Sequence, residues 1–202
     1  MAAPGGSAMK FDLPTLLGMA AQTLRTPREA AETLLAMGIP RAALAPALAL
    51  VIVLTIIFGH VNEFLVPTSS DVELLFDPMT LGLLQFASLM ITAIAVFWIG
   101  RAFGGTGRFD EALLLMIWLQ YILLCLQVVQ TVLLVISTTL ASLVAVVSVV
   151  LFLFLLTHFV AALHCFRSLG KVFLMIVVSA IGLAFGFSIL LAIIGFNIVD
   201  MT

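Results

Sequence analysis

Long apolar runs, each closed by a few polar or glycine-rich positions, fill the chain from residue 46 onward. A helix needs about 20 mainly apolar residues to cross the hydrocarbon of a bilayer. The pattern predicts five such spans, at 46–66, 78–100, 112–136, 140–163 and 172–195. Pro46 and Pro78 suit the opening turns of the first two, and Asp77 stands before Pro78 as an N-cap. From Ala112 to Phe166 there is no Asp, Glu, Lys or Arg, and the only polar break is Ser137–Ser142. That run is too long for one crossing and is read as two.

Residues 1–41 follow a different rhythm. In "DLPTLLGMAAQTLR", Leu13, Leu16, Leu17, Ala20, Ala21 and Leu24 fall on one helical face, with Asp12 as the expected cap. In "TPREAAETLLAMGIP", Thr26 and Glu29 have capping-box spacing, Pro27 fits the first helical position, and Gly38 with Pro40 forms a stop. Both helices are too short to cross and are expected on the membrane surface or against the bundle. Pro14, Thr15 and Gly18 interrupt the first apolar patch, so cleavage as a signal peptide is not expected.

Composition agrees with this division. The 202 residues are 64% hydrophobic and 9% charged, with mean hydropathy +1.34. A water-facing globule carries about 25% charged residues, so a soluble domain is excluded. The net charge of −2 says less than where the charges lie. Lys10, Arg25, Arg28 and Arg41 precede the first span. Arg101 and Arg108 separate the second and third, and Arg167 and Lys171 the fourth and fifth. With five spans all eight cations fall on one side, and Glu63, Asp71, Glu73 and Asp77 on the other. Basic loops stay cytoplasmic, which predicts N-in and C-out. The expected fold is therefore all-α: a cytoplasmic segment 1–41 with two short amphipathic surface helices, then a five-span transmembrane domain, 42–202.

One loop has the look of chemistry. "GRAFGGTGRFDEAL" holds four glycines, but Thr106 stands where a phosphate loop needs Lys, and Asp110 where a dinucleotide loop needs its third Gly. A hairpin turn accounts for it better. Gly104, Gly105 and Gly107 permit a tight reversal, and Asp110 and Glu111 suit the positive end of the next helix.

"FGGTGRFDEALL", directly after a second span and opening a third, resembles the Ypt-interacting-protein (Yip) family of five-span membrane proteins. The likeness extends from about Arg28 to the C-terminus. The resemblance implies a membrane location. Eukaryotic members occupy endoplasmic reticulum and Golgi membranes and bind Rab-type GTPases, with an Asp-Leu-Tyr type motif in their cytoplasmic segments. This chain has Asp12-Leu13-Pro14 there, and its one tyrosine, Tyr121, lies inside a span, so the resemblance does not carry GTPase binding with it. The short Ala- and Leu-rich chain is similar to bacterial members, which implies the inner membrane.

Polar groups within the spans are the remaining candidates. Gln120, Gln127 and Thr131 share a face of the third span, with Gln130 nearby. They read as interhelical glue or as the lining of a polar path. His158 is the one titratable group plainly at membrane depth, which makes it a candidate proton or ligand site. Gly182 and Gly186 give the fifth span a small-residue face for close helix contact, within the chain or between copies. Cys125 and Cys165 differ in depth by roughly 20 Å from the helical rise and are expected as free thiols. His158 and His164 are six apart, not the four that share a face, so no metal or other cofactor is expected.

Nor do acids, bases or nucleophiles converge as catalysis requires. The sequence points to a non-enzymatic scaffold or assembly partner in the inner membrane. Its expected partners are the lipid bilayer and other membrane proteins or itself, not nucleic acid. The rival is a small-solute, proton or lipid transporter using the third-span face and His158.

Overall fold

The computed structural model describes residues 12–65 and 77–194. Lys10, Asp71, Glu73 and the expected end of the last span at Gly195 lie outside them. The described residues form seven helices and no strand. Two are short, α1 (Leu13–Arg25) and α2 (Pro27–Ala36). Five are long and apolar enough to cross a membrane: α3 (Arg41–Leu65), α4 (Pro78–Ala102), α5 (Phe109–Ile136), α6 (Thr138–Leu163) and α7 (Leu169–Ile194).

α3, α5 and α7 start, and α4 and α6 finish, at the same end of the bundle. Arg41, Arg101, Arg108, Arg167 and Lys171 gather there, and we call it the basic end. α5 is the central helix, packing on α2, α3, α4 and α6. Its Leu115, Met116, Leu119 and Ile122 form the core with Leu44, Leu48, Leu155 and Phe159. α4 and α7 lie at the periphery, and residues such as Leu83, Ile91, Leu174 and Ile181 face outward, as lipid-contacting positions do.

Several helices outrun the apolar runs that announce them. α3 begins at Arg41, so Pro46 lies inside it rather than opening it. A proline there removes one bond, to the carbonyl four residues back, within a turn of the helix start. Such a loss is tolerated in membrane helices. The capping box expected at Thr26 does not form: its side chain makes no cap bond and its Oγ1–H reaches the Gln22 carbonyl at 3.5 Å. Asp77 does cap α4, accepting from the Met79 N–H at 3.2 Å. Gly38 ends the α2 region with φ +59°, as its place in the stop signal anticipates.

The two short helices dock on the basic end. α2 buries Pro27, Ala30, Ala31 and Leu34, a spacing of three, four and seven that makes one face, mainly against α6. α1 packs with Leu16, Met19, Ala20 and Thr23, leaving Leu13, Leu17 and Leu24 exposed. Thr23 keys it in place. Its Oγ1–H donates to the Met19 carbonyl at 2.8 Å and its oxygen accepts from the Trp118 indole Nε1–H at 3.1 Å. Thr23→Val leaves a buried indole donor without a partner, which costs about 1–3 kcal/mol. Trypsin cleavage after Arg25 and Arg28 is therefore expected to accelerate about tenfold in the variant. An unchanged rate would show that the docking of α1 does not depend on this bond.

Candidate functional site

The glycine-rich loop and the end of α6 form one unit. α4 stops with a paired backbone closure: Gly105 N–H donates to the Gly100 carbonyl at 2.9 Å, Gly104 N–H to the Arg101 carbonyl at 3.0 Å, and Gly104 takes φ +88°. α6 stops the same way. Phe166 N–H donates to Ala161 at 2.9 Å and Cys165 N–H to Ala162 at 3.3 Å, with Cys165 at φ +57°. Both are Schellman motifs. The second places a cysteine where glycine is the usual residue.

His164 caps α6 and points into the loop that follows α4. It is 2% exposed. Gly107 N–H donates to Nδ1 at 3.2 Å, and Nε2 lies 3.2 Å from the Val96 carbonyl. An amide N–H can only donate, so Nδ1 accepts, Nε2 carries the proton, and the imidazole is neutral. The Phe166 ring stacks on it at 5.6 Å.

The glycines admit the ring. A Cβ on Gly100 would lie 2.0 Å from Nε2, and one on Gly105 2.3 Å from Nδ1. One on Gly107 would lie 2.6 Å from Leu163 Cγ and 3.0 Å from His164 Cε1. Gly104 supplies the positive φ at the end of α4. Gly105 and Gly107 serve a different end, close approach to the other hairpin: Gly105 to the imidazole, Gly107 to Leu163 and then the imidazole. In the sequence His164 stands out only as a possible metal ligand. The available signal was weak: a histidine and a glycine cluster, each just past an even-numbered span.

Around this clasp the start of α5 is fixed by charge. Glu111 Oε2 accepts from the Arg108 N–H at 2.9 Å. Asp110 bridges Arg41 at 3.3 Å and Arg108 at 3.2 Å, and Arg101 lies over the Phe97 ring at 5.5 Å. Burial pushes the His164 pKa below the ordinary histidine value. The Val96 bond opposes that shift, Arg101 adds to it, and Glu111 opposes it.

The intramembrane candidates are not gathered in one place. Gln127 and Gln130 line a cavity of about 410 Å³ with Asn62 and Ser148. Gln127 donates to the Thr55 carbonyl at 3.2 Å, joining α5 to α3. Thr131 is buried and turned onto its own helix, Oγ1–H to the Gln127 carbonyl at 2.8 Å. Gln120 is half-buried and does not line the cavity. His158 lies outside it too, with Nδ1 2.8 Å from the Phe154 carbonyl of the same helix. Asn62, which no sequence pattern singles out, has its Oδ1 buried without a partner among the described residues. Gly182 and Gly186 have open space where a Cβ would stand, so the described residues make no close contact there. Both cysteines are free thiols. Among the described residues no group of three His, Cys, Asp or Glu side chains is placed to hold a metal.

Five apolar helices of crossing length, joined in antiparallel hairpins, define a multi-pass membrane protein. A family model described as the Yip1 domain matches residues 21–190. The chain belongs to that family, and the matched stretch runs from α1 through most of α7. Neither the curated proteins nor the solved structures yield a match.

Proposed function

We propose that this Yip1-domain protein is a non-enzymatic scaffold or assembly partner in a bacterial inner membrane. The basic end faces the cytoplasm and the C-terminus the periplasm. The His164 clasp carries this reading. The group that looks most reactive, an imidazole in a glycine-rich loop, has both nitrogens bonded to backbone and no free face for a substrate. The same contacts hold α4, α5 and α6 in one register and present Arg101 and Arg108 on a preorganised surface. Binding surfaces gain affinity from such preorganisation.

Extraction in mild detergent tests it. A membrane partner is expected to co-purify in fixed stoichiometry and to be lost in Arg101→Glu/Arg108→Glu while the protein stays folded. A solitary monomer whose removal alters no complex would overturn the proposal. Labels on the two termini in intact cells should report from opposite compartments.

The buried Asn62 Oδ1, without a partner among the described residues and beside Gln127 and Gln130, favours one second reading, passage of a small polar solute. On that reading, flux into proteoliposomes stops in Gln130→Leu and survives His158→Ala, because His158 lies outside the cavity.

A further inference from the structure

A second cavity, of about 540 Å³, opens at the basic end between the end of α4 and the first turns of α7. Its mouth carries Arg167, Ser168 and Lys171, and its walls are apolar, with Phe103 on one side and Met175 and Val178 on the other. Among the described residues no carboxylate lines it. From Lys171 to Val178 the groove follows α7 for roughly 10 Å by the helical rise. One end is thus cationic at the helix terminus, and the other runs along the membrane-facing helix.

The cations at the mouth are uncompensated. Asp110 answers Arg41 and Arg108, and Glu32 answers Arg28, but neither Arg167 nor Lys171 makes an ion pair among the described residues. The Ser168 hydroxyl accepts the Lys171 N–H at 3.4 Å. The N-terminus of α7, the positive end of its dipole, thus lies among the residues that line the groove.

We propose that this groove seats an anionic glycerophospholipid of the surrounding bilayer, its phosphate between Arg167 and Lys171 and an acyl chain along Met175 and Val178. Charge and shape argue for it jointly. Two unpaired cations without a carboxylate call for an anion, and a long apolar wall at membrane depth calls for a chain attached to it. A free phosphate would use the mouth and leave the wall empty. A protein segment would have to bring both an anion and a lipid-soluble stretch to a site that the bilayer already supplies with both.

The test reconstitutes the full chain in nanodiscs of phosphatidylcholine with one-fifth phosphatidylglycerol. Lipids retained after mild detergent extraction are then measured by native mass spectrometry. Phosphatidylglycerol should be enriched over its bulk fraction. The affinity of the site for phosphatidylglycerol relative to phosphatidylcholine should fall about five-fold for each cation removed in Arg167→Gln and Lys171→Gln, following the attraction of single basic residues to anionic lipid. Arg25→Gln/Arg28→Gln, with the same loss of charge away from the groove, should retain it. Equal loss in both pairs would reduce the effect to general electrostatics and overturn the proposal, as would unchanged retention in Arg167→Gln/Lys171→Gln.

Wild-type protein supplies a measurement that needs no variant. Phosphatidylglycerol should raise its melting midpoint above that in phosphatidylcholine, and soluble glycerol 3-phosphate should not. Equal stabilisation by glycerol 3-phosphate would show a headgroup site without a lipid groove and would also overturn the proposal.

Discussion

Gly100→Ala is expected to destabilise the protein by about 3 kcal/mol, near the upper end for overpacking a filled site. Alanine for glycine inside a helix ordinarily stabilises, by about 1 kcal/mol. The sign reverses here because the new methyl would stand 2.0 Å from His164 Nε2. The ring has nowhere to go: Gly107 holds one nitrogen, Val96 the other, and Phe166 covers it. Gly182→Ala is the matched control, also helical and with nothing near its Cβ position, and should be neutral or mildly stabilising. In detergent the two should differ in melting midpoint by about 6–12 °C for a chain of this size. Gly100→Ala combined with His164→Ala should cost less than the sum of the single changes, since the second removes the obstacle to the first. Additive costs would show that the ring and the loop are not coupled.

Acid should loosen the same clasp. His164 is neutral and its pKa in the folded protein is lowered, chiefly by burial. In the unfolded chain its pKa is near the ordinary value of about 6.5. Between the two values the unfolded chain binds more protons, so stability rises with pH across that window. The contribution is present above about pH 6.5 and is lost as pH falls through the folded-state value. A protonated Nδ1 also cannot accept the Gly107 N–H. The melting midpoint of wild type should therefore fall from pH 7 toward pH 5. His164→Phe keeps a ring against the glycines but leaves the buried Gly107 N–H unpartnered. It should start about 2–3 kcal/mol lower at pH 7 and show a flatter dependence. A variant as steep as wild type would place the titrating group elsewhere.

The architecture was legible because membrane crossing is written in one dimension. Twenty apolar residues between polar breaks mean a span whatever surrounds them, and the helices from Pro78, Phe109 and Thr138 lie where those runs lie. Helix ends were less legible. Pro46 suggested a start, yet α3 begins at Arg41, because helix needs only backbone continuity while hydropathy records only lipid contact. The site was the least legible part. Gly104 could be read as a turn residue from its own conformational freedom. Gly100 and Gly105 owe their identity to a ring some sixty positions away, and Gly107 to Leu163 and that same ring, and no local pattern holds that information. His158 drew attention by its depth, whereas His164 lies at a helix terminus where histidine is unremarked. Asn62, near the end of its span, was passed over for the same reason.

The matching helix terminators have a mechanical consequence. His164 ties the stop of α6 to the stop of α4, so neither hairpin can slip along the other without withdrawing an imidazole from a slot of bare backbone. A shift of one helical turn, about 5.4 Å, would cost the whole clasp. Relative movement of α4 and α6 is thereby expected to be tilting about this knot at the basic end rather than sliding.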